Sequence, residues 1–191
     1  MNLVLLLVLA AGPDVWTYWI QPCAGDIAKE SGCQTGDPEL GAWALEAWQK
    51  AAAPALKVTP ADREETARLR IYWASGRSQL YGEARPILVD GKRGAEVFVL
   101  PGMAKGGSGP EADPLMRDTV VYLTCLHESG HGLGLAHTRQ FADIMYSFQY
   151  GGDIAEYFGR YRRALIRRED IRQHSGISAA DRDALLLMYG K

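Results

Sequence analysis

His127, Glu128, His131 and His137 lie within the stretch HESGHGLGLAH, which holds three of the four histidines of the chain. His127 and His131 are four residues apart, a spacing that puts both imidazoles on one face of a helix, about one turn apart. Two neutral imidazoles so placed can share one zinc ion. Glu128 follows the first of them and projects from a neighbouring position, where its carboxylate reaches a metal-bound water rather than the metal. A carboxylate there suits a general base. Gly134 comes three residues after His131 and can take the positive φ that ends a helix and turns the chain back. His137, three residues further on, can then return to the same ion. Three protein ligands leave one position for water, the arrangement of a catalytic rather than a structural zinc site.

A helix must carry the first two histidines, and the periodicity predicts one from about Leu115 to Leu133. It keeps Gly130 and Gly132 in its interior at a cost of about 1 kcal/mol each, which surface or core histidines alone do not explain. Upstream, VWTYWI (15–20), LKVTPA (56–61), ARLRIYWAS (67–75), LYGEARPILV (80–89) and AEVFVLP (95–101) read as strands, the last two around Asp90-Gly91. A helix is predicted from about Glu39 to Ala53, opened by Asp37-Pro38 and ended by Pro54. Residues 102–114 form a Gly/Pro-rich loop and 138–152 an irregular segment. An amphipathic helix interrupted by Gly159 is predicted over 154–173. A closing helix, ISAADRDALLLMYG, has Ser178 as its N-cap. This order gives an α+β, mixed α/β single domain.

The full pattern HExxHxxGxxH fixes more positions than a bare HExxH and is correspondingly specific. It resembles the zinc-binding signature of the metzincin metalloendopeptidases, and Met145, eight residues after His137, resembles their methionine-containing turn. Thr138 after the third histidine and Tyr146 after the methionine resemble the matrixin branch, the matrix-metalloproteinase type of catalytic domain. Ser147 stands where the astacin and serralysin branches carry a tyrosine. VWTYWI and the closing helix, with Asp181 and Asp183 able to brace the methionine turn, extend the likeness over about residues 14–191.

The resemblance implies a twisted, mostly parallel sheet of about five strands with an antiparallel edge strand, an active-site helix and a C-terminal helix. It implies one catalytic zinc on His127, His131 and His137, with Glu128 moving a proton from the attacking water to the leaving amine. The substrate would be an extended peptide or protein segment along the fourth strand, near Leu80–Ile87, with Tyr146, Ser147 and Phe148 beside the scissile bond. Two alternatives stay open: a single dedicated substrate, or a non-catalytic binding module, against which Glu128 argues. A zinc deaminase is excluded because its His/Cys/Cys ligands have another spacing.

The chain departs from the family pattern in several respects. Beyond the cluster only His174 is left, too few histidines for a second, structural zinc. No acidic loop has the ligand spacing of a calcium site, so calcium is left open. No pro-segment is recognised; QPCAGD is faintly similar to the cysteine motif of matrixin pro-peptides but lies after the first strand. Residues 151–176 form a long insert rich in arginine, either a solvated face or else a basic rim that prefers acidic substrate positions or a dock for a partner.

The remaining features bound the setting. A chain of 191 residues with a formal net charge of −2 gives no reason to expect nucleic acid or an anionic membrane as partner, and a monomer is expected. The apolar run MNLVLLLVLAAG at 1–12 is too short to span a bilayer. It reads as a secretory signal without the usual basic start, with a buried first strand as the other reading. Residues 13–191 would then be the catalytic domain of a secreted or periplasmic protein. After export Cys23 and Cys33 could form a disulfide, leaving Cys125 buried and free; in the cytosol all three cysteines would be thiols.

Overall fold

The computed structural model describes residues 12–76, 81–104 and 113–190. Most of the apolar N-terminal run, most of the Gly/Pro-rich loop, and Leu80 of the expected substrate strand lie outside the described residues. Five strands, β1 (Asp14–Ile20), β2 (Leu56–Pro60), β3 (Leu69–Trp73), β4 (Gly82–Val89) and β5 (Lys92–Val99), form one sheet in the order β2-β1-β3-β5-β4. All neighbours are parallel except β4 and β5, so the sheet is mixed, with an antiparallel strand at one edge, as expected. The β4–β5 hairpin turns at Asp90-Gly91, whose φ values of 50° and 72° suit a two-residue primed turn. Alternation is sharpest in β3, where Leu69, Ile71 and Trp73 are buried while Arg70 and Tyr72 are half-buried on the other face.

Two helices cover the sheet. In α2 (Asp37–Ala51), Leu40, Ala44, Leu45, Ala47 and Trp48 are buried against the sheet and against α3 (Pro114–Leu133). Burying one side chain of the size of Trp48 contributes at least roughly 1.5–3 kcal/mol. The Trp48 indole also donates to the Leu126 carbonyl at 2.9 Å, pinning α3 one residue before His127. Asp113 caps α3 by accepting the Met116 N–H at 3.0 Å. Below this cap, Arg117 grips the buried carboxylate of Asp37 with two nitrogens, at 2.5 and 2.7 Å.

Cys23 and Cys33 are joined by a disulfide, and Cys125 is free and buried in α3. Cys23 therefore has no thiolate to offer a metal. The segment between the bonded cysteines, read from sequence as a polar loop, contains a short helix, α1 (Gly25–Ser31). Its few apolar residues give no periodic signal. It ends where Gly32 takes φ 72°.

The insert also differs from expectation. α4 (Ile154–Arg162) runs through Gly159 and stops three residues later; a 3-10 turn over Arg168–Arg172 follows. The Asp170 carboxylate accepts the N–H groups of Ile166 and Arg167, giving the backbone partners that compete with helix. Leu165 and Ile171 are buried on either side. Arg163 and Arg167 are exposed and pair within the insert, with Glu156 and Asp170, but three other arginines reach out of it. Arg162 pairs with Asp113 at 2.9 Å, Arg168 with Asp118 at 3.0 Å and with Glu39, and Arg172 with Glu46 at 2.8 Å. These pairs clasp the insert to α2 and to the start of α3. The chain closes with α5 (Ala179–Tyr189), opened by a reciprocal Ser178–Asp181 capping box. No helix among the described residues is long and apolar enough to cross a membrane.

Candidate metal centre

The last turns of α3 present His127 and His131 on one face. Gly134, at φ 115°, stops the helix as expected, and its N–H and that of Leu135 both return to the Gly130 carbonyl. This reversal brings His137 back to the helix end. Its Nε2 lies 3.2 Å from Nε2 of His127 and 3.0 Å from Nε2 of His131. Each helical histidine is oriented by its other nitrogen: Nδ1 of His127 meets the Ile144 carbonyl at 2.6 Å, and Nδ1 of His131 meets the Leu135 carbonyl at 2.8 Å. A carbonyl only accepts, so both Nδ1 atoms carry the hydrogen and both Nε2 atoms keep a lone pair.

Three nitrogens bound tetrahedrally at the usual 2.0–2.1 Å stand about 3.3 Å apart, close to the separations found. The three histidines thus lie close enough to bind one metal ion. Burial, with the neighbouring histidines adding to it, holds His127 down at about 4 against the pull of the Ile144 carbonyl. His137 is lowered by burial and by His131. Both shifts favour the neutral imidazole that a metal requires.

Glu128 points from the same helix into the cleft and is only 8 % exposed. Burial, and then the charge of Glu83 on β4, push its carboxyl up to about 8. With no cation on the histidines it would hold its proton near neutral pH, and a bound cation would lower the value and free the carboxylate. Gly82 makes room for it: a Cβ on Gly82 would stand 2.7 Å from the Glu128 Cγ and 2.9 Å from the Phe98 carbonyl.

Met145 is 1 % exposed and packs against the histidine helix at Gly130. Gly130 is what lets the turn approach, since a Cβ there would sit 2.6 Å from the Met145 sulfur; Gly132 does the same for Leu69 of the sheet. The turn is fastened to the segment after His137: the Thr138 N–H donates to the Met145 carbonyl at 2.8 Å, and the Ser147 N–H to the Thr138 carbonyl at 3.2 Å. From α5, Asp181 accepts the N–H groups of Ile144 and Met145, and Ser178 donates to Asp143 at 2.8 Å. Of the two aspartates expected to brace this turn, Asp181 does so. Asp183 is exposed and sits beside Arg182, because it falls on the outer face of α5.

A cleft of about 500 Å³ opens between β4 and α3, with the three histidines and Glu128 along it. Tyr146, Ser147 and Phe148 all line it, as do Tyr81, Gly82, Glu83 and Ala84 at the edge of the sheet. Tyr150, two residues after Phe148, lies outside its lining, under the guanidinium of Arg139. Ile154, Tyr157 and Phe158 form the wall that sequence reasoning missed. Their spacing marks one side of an amphipathic helix, but nothing local says which surface that side meets. His174 is exposed, away from the cluster, with Nδ1 3.0 Å from the Asp170 carbonyl. No protein-family model matches this chain, and no curated protein matches it.

Proposed function

We propose that the protein is a zinc-dependent endopeptidase of the matrixin-like metzincin type. The observation that carries this reading is the convergence of three histidine Nε2 atoms beside a buried carboxylate, in a cleft that runs along a sheet edge. Zinc held by His127, His131 and His137 supplies Lewis acidity, polarising a carbonyl and acidifying water. The carboxylate oxygen of Glu128 accepts a proton from the attacking water and returns it to the leaving amine. β4, the terminal strand of the sheet, offers backbone N–H and C=O groups to an extended peptide, which orients the scissile bond by strand pairing. Tyr146, Ser147 and Phe148 contact the substrate beside that bond. The Cys23–Cys33 disulfide fits a secreted or periplasmic protein.

A narrower reading, processing of one dedicated substrate, draws on the insert. Ile154, Tyr157 and Phe158 wall one side of the cleft and limit what enters.

Cleavage of casein by the purified protein tests the main reading, with zinc content measured on the same sample and Glu128→Ala run beside it. Cleavage by the wild type, and a zinc-loaded but inactive variant, would support the metal and Glu128 roles. Zinc in both samples and cleavage by neither would move the reading to a dedicated substrate or a binding role.

A further inference from the structure

Ile144 is held at both of its backbone groups. Its N–H goes to Asp181 on α5 at 2.8 Å. Its carbonyl accepts from two side chains: Nδ1 of His127 at 2.6 Å and the hydroxyl of Tyr157 at 3.0 Å. The same hydroxyl lies 3.1 Å from the Asp143 carbonyl, so its one hydrogen spans two consecutive carbonyls just before Met145. Tyr157 belongs to α4, in the insert. It is buried, with ring centroids 5.0 Å from Phe148, 5.3 Å from Phe158 and 5.6 Å from Phe141, and the Arg160 guanidinium 4.6 Å over its face. Its ring has little freedom, and the helix that carries it is clasped to α3 through Arg162 and Asp113.

We propose that Tyr157 is a positioning residue for His127: through the shared Ile144 carbonyl, the insert sets the orientation of the first metal ligand. This rests on the metal-centre reading above. A histidine ligand is aimed by the partner of its other nitrogen, and loss of such partners typically weakens metal binding about 10–100-fold. Here that partner is a carbonyl in an irregular turn: the carbonyls on either side, of Asp143 and Met145, accept the N–H groups of Tyr146 and Thr138, whereas the Ile144 carbonyl accepts only from the two side chains. The N–H of Ile144 is fixed by α5, but the direction of its carbonyl is fixed from the other side by Tyr157. Without the hydroxyl, His127 would be bonded to a carbonyl free to tilt with it. Tyr157 thus has two separable parts, a ring that walls the cleft and a hydroxyl that reaches behind the ligand.

Tyr157→Phe keeps the ring and removes only the hydroxyl. Zinc affinity of the full chain would be measured by competition with a chelator, and the visible spectrum recorded after loading with Co(II). Tyr161→Phe is the control. Tyr161 lies on the same helix as Tyr157, but its hydroxyl serves the carbonyls of Ile171 and His174, beyond that helix, and makes no hydrogen bond to Ile144 or His127. The expected result is a loss of zinc affinity of about tenfold or more in Tyr157→Phe, with a shifted Co(II) spectrum. Tyr161→Phe should melt at a lower temperature yet bind zinc as the wild type does. Wild-type affinity and an unchanged spectrum in Tyr157→Phe would overturn the positioning role alone. Equal loss of affinity in both variants would reduce Tyr157 to general support of the fold and overturn it too. A wild type that binds neither ion would overturn the metal centre and this inference together.

Discussion

The carboxylate of Asp181 reaches from the closing helix to the backbone N–H of Ile144, the residue whose carbonyl meets His127. It also lies 3.4 Å from the Met145 N–H and closes the capping box with Ser178, while being only 1 % exposed. Removing it leaves buried donors without an acceptor, at about 1–3 kcal/mol for each lost partner. Asp181→Ala should therefore lower the melting temperature and weaken metal binding together. A melting temperature equal to the wild type would show that the turn holds its shape without this brace.

Gly82 governs how near the edge strand comes to Glu128. Because a Cβ would collide with the Glu128 and Thr124 side chains and with the Phe98 carbonyl, Gly82→Ala must push the edge strand and Glu128 apart. Displacing a reacting group by about 1 Å can cost roughly 10²-fold in rate. We expect casein cleavage by Gly82→Ala to fall by about that factor while zinc content stays at the wild-type level. Parallel assays of cleavage and zinc separate this from general damage.

Arg117 and Asp37 form a buried, two-pronged ion pair between α2 and α3. Breaking it on one side leaves Arg117 with only the longer carboxylate contact to Asp118 at 3.5 Å, so Asp37→Ala should cost up to about 3–5 kcal/mol in urea unfolding. Replacing both, as Asp37→Leu with Arg117→Met, should recover much of that loss. Failure of the pair of changes to recover any would mean that the contacts to Gln34 and Gly32, which the two charges also serve, dominate.

Asp113 gives the protein an acid-sensitive joint. Burial pulls its pKa up, but the Met116 N–H and the Arg162 guanidinium together outweigh it and hold the carboxyl below its ordinary value. A group depressed in the folded state adds stability above its unfolded pKa of about 3.9 and loses it as pH falls through the folded value. The wild type should lose melting temperature more steeply than Asp113→Asn below about pH 4. Identical slopes in a pH series would remove Asp113 from the acid response.

The disulfide joins cysteines ten positions apart and closes a loop around α1. By the chain-entropy estimate it contributes about 2–3 kcal/mol. Replacing Cys23 and Cys33 by Ser should lower stability by that order in denaturant unfolding, with zinc content unchanged, since neither cysteine lies at the metal centre.

By itself the sequence determined the local parts of this protein. Helical spacing put His127 and His131 on one face, Gly134 ended the helix, and His137 followed at the reach of a single turn, because each of these relations spans a few residues of backbone. The strands of the sheet were legible for the same reason, β3 most clearly through its alternation of Leu69, Ile71 and Trp73 with half-buried neighbours. Tertiary structure decided what each local part meets. The roles of Gly82 and Gly130 depend on atoms of Glu128 and Met145 that approach from elsewhere in the chain. Local reading gave the arginines of the insert as solvated, as a rim or as a dock, and only the placement of Glu39, Glu46, Asp113 and Asp118 made Arg162, Arg168 and Arg172 clasps. Tyr157 lies thirty residues from His127, and the carbonyl they share belongs to neither segment. Such a contact is set by how α4 packs behind the turn, which no periodicity in its own sequence can express.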